Sequence, residues 1–525
     1  MNEKENKREG GAVQVETTEP TETKPVVDYA VMDEKLELVR KLLMEHRPQL
    51  ALDRLLHLLQ QGVFEPGELW RAYYRLATCY FELLDMEKAA DAYWVALNHP
   101  EGMPYRLQCD YYSNYLFILH YLPHADRAFL RERNFIYDQL CAGAQSYASY
   151  PRHHEKLRVG YIAPTFRETV VSFFSVQLLT RYDRSRFEVY LYSMRPDDRD
   201  TPLEQDLAKS VSKWRSFGMW DDRQAIADTI HGDEIDILFD LTVHTEGGPT
   251  LQAMKYHPAP VQIAGIGYMS TSGMRAMDYF LTDVYLDPPG EHDEDFSEAL
   301  VRLPHSHFCY TPPERVLRRK RFWQPHRTIL FASFNNFAKL NEDILLLWKR
   351  ILERVPKAQL LLKNSSGRTW ILRRIKDRVR RLGFPMDRVI IEGNTADYLD
   401  RYADVDILLD SYPYTGGGTT CDALLCGVPV ITKYGDRHGT RFSYSLLANV
   451  GLADLAADSD DAYVEKAVAL ANDRELLAAL HEKIPELMKA SPIMDGAGYV
   501  RDIEKAYLCM WQAYQARAPK REIFI

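Results

Sequence analysis

The chain has 525 residues, 46% hydrophobic and 27% charged, with 65 basic against 75 acidic side chains for a formal charge of −10. At about 150 residues per domain this makes two to four domains of ordinary soluble composition, and the balance argues against a dedicated nucleic-acid binder, which would show a clustered basic excess. Seven scattered cysteines without a CxxC pair, no apolar run near the roughly eighteen residues of a membrane span, and no apolar stretch behind the MNEKENKREGG start point to a cytoplasmic protein with no secretory signal.

Residues 1–28, rich in Glu, Thr, Lys and Pro, hold too few large apolar groups to offset chain entropy and read as a disordered tail. Residues 29–150 are helical and repeat. Leu38, Leu42, Ala51, Leu55 and Leu58 are followed 38 positions later by Leu76, Tyr80, Ala89, Tyr93 and Ala96. Small alanines on the second helix of each pair allow close approach, as in a tetratricopeptide repeat of about 34 residues. The extra length falls in QQGVFEPG, where Pro66 and Gly67 break the helix. A third helical stretch, 104–143, loses the register and suits a cap.

After Tyr150-Pro151, short β-branched runs alternate with helix-length segments, the mark of parallel sheets with crossover helices. A domain over 151–315 carries strands at 157–163, 187–192, 235–241 and 261–264. Segment 305–327, with Pro312-Pro313 and a basic run, reads as an interdomain connection. A domain over 316–525 carries strands at 328–333, 358–363, 388–391, 405–410 and 429–432, with helices at 341–354 and 368–382 between them. It ends in an amphipathic crossover helix marked by Tyr499, Ile503, Tyr507, Met510, Trp511 and Tyr514. The fold class is α/β: two Rossmann-like sheets facing a ligand crevice, preceded by an all-α domain.

The strongest local pattern is Asp410-Ser-Tyr-Pro-Tyr-Thr-Gly-Gly-Gly-Thr-Thr-Cys-Asp422. A buried strand runs into Gly416, Gly417 and Gly418, and Thr419, Thr420 and Asp422 then open a helix. Glycines permit close backbone approach, and a helix N-terminus offers amides and a positive dipole end to an anion such as a diphosphate. The alternative is a tight turn with Thr420 as an N-cap. Phe334-Asn-Asn336-Phe-Ala-Lys339 follows the first strand of the second sheet, so Lys339 faces the same crevice; it is either a point charge for phosphate or a surface lysine. His244, at the end of a strand in the first sheet, is either an acid–base group or a structural histidine. Gly435-Asp-Arg-His438-Gly-Thr-Arg441 either supplies donors to a nucleotide or sugar or is a solvated loop. His305/His307 and Asp404/Asp406 lack the partners and spacing of a metal site.

From about Leu157 to Trp511 the chain resembles the catalytic region of glycosyltransferase family 41, which includes O-GlcNAc transferases, Spindly-type O-fucosyltransferases and bacterial protein glycosyltransferases. The matching blocks are Pro258-Ala-Pro-Val-Gln262, Gly267-Tyr268, Met277-Asp-Tyr279 with Thr282-Asp283, and Arg302-Leu-Pro-His305. Beyond these lie Phe334-Asn-Asn336 with Lys339, Val405 to Asp410, Gly416 to Asp422 with Gly427-Val-Pro429, and Gly435 to His438 with Arg441. The resemblance implies a GT-B fold and inverting, metal-independent transfer from a nucleotide sugar, the sole co-substrate with no cofactor, to a polypeptide. The linkage would be through Ser/Thr oxygen or, alternatively, Asn; by family analogy alone, acceptors include flagellins and adhesins.

By the same resemblance Lys339 and His244 are the catalytic pair. Asn336, Lys339, Gly417, Gly418, Thr419 and Thr420 would contact the diphosphate, and Asp422 the ribose side. Tyr398, which stands where the family usually has a histidine, would line the donor site with His438 and Arg441. The chain departs from the family at Thr165 and Thr169, which replace an aspartate and a loop histidine, and at Val243-His244-Thr245, which lacks the usual glycine. Two other readings stay open: a catalytically impaired adaptor binding partners through its helical repeats, and transfer to a lipid or glycan. No basic amphipathic membrane face supports the latter.

Overall fold

The computed structural model describes residues 34–525 except 197–198, 219–220, 318–322, 365–367 and 396–397. The tail read over 1–28 and the heart of the basic run in 305–327 therefore lie outside the described residues.

Six helices come first: α1 (Glu34–Met44), α2 (Pro48–Gln60), α3 (Leu69–Glu82), α4 (Met86–Asn98), α5 (Tyr105–Leu119) and α6 (Arg127–Leu140). α2 and α4 begin 38 positions apart, as the repeat requires, and Ala51, Ala89 and Ala96 are fully buried on them. Asp85 and Asp126 start α4 and α6 by accepting from the backbone N–H of Lys88 and Phe129. The repeat breaks at Leu38, which is 49% exposed while Leu36 and Val39 take the inward positions. At the outer end of a stack a helix is covered on one side only.

The first sheet is built from β1 (Leu157–Ala163), β2 (Phe187–Ser193), β3 (Lys213–Ser216), β4 (Ile237–Asp240), β5 (Val261–Ala264), β6 (Tyr279–Asp283) and β7 (Ala299–Leu303). The second holds β8 (Leu330–Ser333), β9 (Gln359–Lys363), β10 (Val389–Glu392), β11 (Ile407–Leu409), β12 (Val430–Lys433) and β13 (Ala456–Ala457). A last strand, β14 (Ile523–Phe524), joins the first sheet. Strand orders are β14-β7-β6-β5-β4-β1-β2-β3 and β10-β9-β8-β11-β12-β13, all parallel. Covered on both faces, such strands read as continuous apolar runs. The order reverses between β1 and β4, and again between β8 and β11; the crevice outside such a reversal is where open α/β sheets take ligands.

The boundary at 316–525 needs correcting, because the chain returns to the first lobe. The helix Gly496–Gln515 packs on α7 (Val170–Thr180) and β5. There Tyr507 Oη lies 2.9 Å from Tyr161 Oη, and Glu504 accepts from Asp183 N at 2.7 Å. β14 then pairs with β7, Ile523 opposite Val301. The helical domain touches both lobes: Asp110 accepts from Gln252 of the first, and Arg378 of the second donates to Leu84 O at 2.6 Å.

Candidate functional site

The loops leaving β8 and β11, which flank the reversal in the second sheet, are tied together by one buried carboxylate. Asp410 accepts from Asn335 Nδ2 at 3.0 Å, Ser411 N at 2.9 Å, Gly416 N at 2.9 Å and Thr432 Oγ1 at 2.8 Å. Asn335 Oδ1 accepts from Thr419 Oγ1 at 3.2 Å, so the β8 loop also holds the helix Gly418–Leu425. A Cβ on Gly416 would sit 2.4 Å from Thr420 Oγ1 and 3.0 Å from Asp410 Oδ1, which leaves no room for a side chain. At Gly417 and Gly418 a Cβ would meet only Phe174, Phe308 and Val170 of the first lobe, at 3.5 Å or more. No side chain caps this helix at Gly417, so its first amides are left for solvent or a ligand.

Asn336 caps the short turn Phe337–Lys339 by accepting from Ala338 N. The turn delivers Lys339 across the loop pair: Nζ donates to Thr415 O at 3.1 Å and lies 3.6 Å from the centroid of the Tyr414 ring. Burial pushes the Lys339 ammonium down to about 8, with the Asp410 carboxylate opposing. Above that value the charge is lost, so an anion bound through the ammonium binds more weakly as pH rises. Between pH 7 and 9 the dissociation constant of a nucleoside diphosphate is expected to rise about tenfold, measured by calorimetry; a flat profile would show that the ammonium carries none of the binding.

The sequence-derived site residues divide into two sets. Lys339, Asn336, Gly417, Gly418 and Thr419 meet around the two loops. Tyr398 lies beside them, its hydroxyl 3.4 Å from Phe334 O and its ring edge-on to Phe334. Asp422 accepts the Tyr310 hydroxyl from the first lobe. Thr420 is a correction: it is fully buried, with Oγ1 2.8 Å from Ser443 Oγ, and faces the lobe interior.

His438 and Arg441 are corrections too, because they clamp one lobe to the other. His438 Nδ1 lies 2.7 Å from Asp287 Oδ2, and Arg441 Nε donates to Tyr285 O at 2.7 Å, both partners lying in the segment after β6. Ser445 Oγ adds a third tie, to Asp283 at 2.9 Å.

His244 is not an acid–base group facing the crevice. It is fully buried between α5, α6 and the first sheet. Nε2 donates to Ser272 O at 2.9 Å, which leaves Nδ1 to accept from Ser113 Oγ at 2.9 Å. Burial holds the imidazole down at about 3. The folded state therefore keeps it neutral, whereas the unfolded chain takes up a proton below about pH 6.5. Its contribution to stability is present above that pH and falls by about 1.4 kcal/mol per unit as pH drops toward 3. His244→Ala is expected to cost about 2 kcal/mol in unfolding experiments while leaving kcat within about threefold. A selective loss of kcat would restore the catalytic role. Thr165 and Thr169 act locally: Thr165 Oγ1 accepts from Arg167 N at 3.2 Å, and Thr169 caps α7 through Ser172 N.

A feature that sequence reading missed is a cavity of about 520 Å³ between the helical domain and the loops after β1, β2 and β4. Trp70, Tyr74 and Tyr111 line one wall; Thr165, Arg167 and Gly247 belong to the other. The signal was available in Trp70/Tyr74 and Arg71/Arg75, two pairs at four-residue spacing on one helix. Among the described residues no group of three or more His, Cys, Asp or Glu side chains gathers to hold a metal ion, and no helix is long and apolar enough to cross a membrane.

The family model described as Glycosyl transferase family 41 matches residues 140–312 and 311–503. Among curated relatives, the probable UDP-N-acetylglucosamine–peptide N-acetylglucosaminyltransferase SPINDLY of Solanum lycopersicum is 36% identical over 367 residues, covering 68% of this chain and 39% of that protein. The similarly named SEC of Arabidopsis thaliana is 27% identical over 379 residues, covering 69% and 38%. The chain thus spans about two fifths of the length of these relatives. A solved O-GlcNAc transferase of Thermobaculum terrenum, a point mutant, superposes with a TM-score of 0.77 at 26% identity, covering 92% of this chain and 98% of that one.

Proposed function

Because the chain belongs to glycosyltransferase family 41, we propose that it transfers a sugar from a nucleoside-diphosphate sugar to polypeptide side chains. We take the reaction to be inverting and metal-independent, with Ser or Thr hydroxyls as acceptors and Asn amides as the second choice. The observation that carries this reading is Lys339 Nζ seated 3.1 Å from Thr415 O, beside the glycine triplet. It puts a cation and a helix mouth on the same two loops.

In this mechanism the acceptor oxygen attacks the anomeric carbon on the face opposite the leaving group. The new C–O bond forms, the bond to the diphosphate breaks, and the acceptor proton is released to solvent or to the departing phosphate. Charge grows on the diphosphate as it leaves, and fixed donors aimed at growing charge are worth far more than donors that must reorganise. Lys339 and the backbone amides from Gly418 onward fill that role; Asn336 and Thr419 orient the phosphates, with Tyr398 and Asp422 toward the nucleoside. The cavity beside β1, β2 and β4 is the path for the polypeptide. We place the protein in the cytoplasm, in keeping with cysteines that are all unpaired.

A thermal-shift screen against UDP, GDP, CMP and TDP sugars tests this reading, since a ligand bound at a hundred times its Kd stabilises by about 2.7 kcal/mol. The expected result is stabilisation by one nucleotide series, followed by sugar transfer or hydrolysis in a mass-spectrometric assay. Silence across the whole panel, together with partner binding indifferent to Lys339→Ala, would be the behaviour of an adaptor instead.

A further inference from the structure

The cavity beside the helical domain is cationic and aromatic at once. Six arginines line it (Arg40, Arg71, Arg75, Arg106, Arg167 and Arg195) against three carboxylates, Glu37, Asp110 and Glu246. On α3 the pairs Trp70/Tyr74 and Arg71/Arg75 lie one turn apart, so an aromatic row runs beside a basic row. Arg75 also stacks on Tyr74, with its guanidinium carbon 5.4 Å from the ring centroid. Burial raises the Asp110 carboxyl to about 6 and that of Glu246 above its ordinary value, which trims the opposing negative charge.

The occupant this lining fits is an extended acidic segment. Guanidinium groups pair with carboxylates in two-pronged geometry, and aromatic faces take proline and the stems of polar side chains. The same chain carries such a segment in Glu16-Thr-Thr-Glu-Pro-Thr-Glu-Thr23, with three glutamates, four threonines and a proline in eight residues. It lies close by in sequence, since Leu36, Glu37 and Arg40 of α1 already line the cavity. Thirteen positions separate Thr23 from Leu36, an extended reach of about 45 Å. A tether of that length gives an effective concentration on the order of millimolar, so even weak charge pairing keeps the site occupied.

We infer that this cavity takes acidic, threonine-bearing polypeptide segments and that its resident occupant is the chain's own residues 16–23, which compete with external acceptors for the same path. The inference rests on the cavity being the acceptor path of the proposed function, and its test uses no sugar nucleotide, so a failed donor screen leaves the outcome readable.

The test titrates a fluorescent synthetic peptide of residues 12–27, by anisotropy, into three full-length proteins. These are the wild type, a tail-neutral variant (Glu16→Gln, Glu19→Gln, Glu22→Gln), and the tail-neutral variant carrying Arg75→Glu, with thermal melts confirming that all fold. The tail-neutral protein is expected to bind the peptide about fivefold or more tightly than wild type, because its own segment no longer competes. Adding Arg75→Glu is expected to weaken binding about tenfold, and salt to weaken it further. Equal binding by wild type and the tail-neutral protein would overturn the resident-tail assignment and leave the cavity to external acidic segments. Binding untouched by Arg75→Glu would overturn the cavity as the peptide site. Should Arg75→Glu fail to fold, Arg75→Gln paired with Arg167→Gln reads the same question with a smaller expected loss.

Discussion

Lys339→Ala is expected to lower the transfer rate by about a hundredfold or more while leaving the melting temperature nearly unchanged. The side chain is only partly buried, and its backbone turn is capped independently by Asn336. Removing it costs one hydrogen bond to Thr415 O and one contact with the Tyr414 ring, neither of which holds an element of the fold. The loss should fall mainly on kcat, because charge on the departing diphosphate is greatest in the transition state. Lys339→Arg keeps the charge but spreads it over a planar fork that a compact site does not fit, so it should rescue nucleotide binding better than turnover. Initial rates across donor concentrations, with melts of the same samples, decide the matter; a loss smaller than about threefold would remove Lys339 from the chemistry.

The second large effect is on stability. Asp410→Ala is expected to cost about 3 kcal/mol or more and to abolish nucleotide binding. The substitution strips an acceptor from Asn335 Nδ2, Ser411 N, Gly416 N and Thr432 Oγ1 together, and each buried donor left unpaired costs about 1–3 kcal/mol. Because the carboxylate binds the β8 loop to the β11 loop, its loss also frees Lys339 from the glycine triplet. Asp410→Asn keeps one carbonyl oxygen and should fall between wild type and Ala. Denaturant unfolding followed beside nucleotide titration tests both claims. An Asp410→Ala protein with an unchanged midpoint would mean that the two loops are held by other means.

Most strands were legible because parallel strands covered on both faces are written as unbroken apolar runs, as in Ile407–Leu409 and Val430–Lys433. β3 was not, since Lys213–Ser216 is a half-exposed edge of polar residues, and β14 is only two residues long. The loop pair at the second reversal was legible from local order alone: Lys339 and the glycines each directly follow a readable strand. The positions that misled are those whose partners are remote in sequence. His244 meets Ser113 across 131 positions, and His438 meets Asp287 across 151. The sequence places each at the ligand end of its strand, but which wall the ring turns toward depends on another domain. Thr420 differs from Thr419 by a single helical step, about 100° of rotation, which is enough to send one hydroxyl into the core and leave the other at the rim.

The return of the helix Gly496–Gln515 and strand β14 to the first lobe sets an order on biosynthesis. As the chain leaves the ribosome, residues 151–315 emerge before the segments that cover α7 and extend the sheet beyond β7, and an uncovered sheet edge invites mispairing. The second lobe, contiguous from β8 to β13, can close as soon as it is made, so folding is expected to finish on the half synthesised first. A nonsense codon near Gly496 would therefore wound the distant lobe more than the one in which it falls.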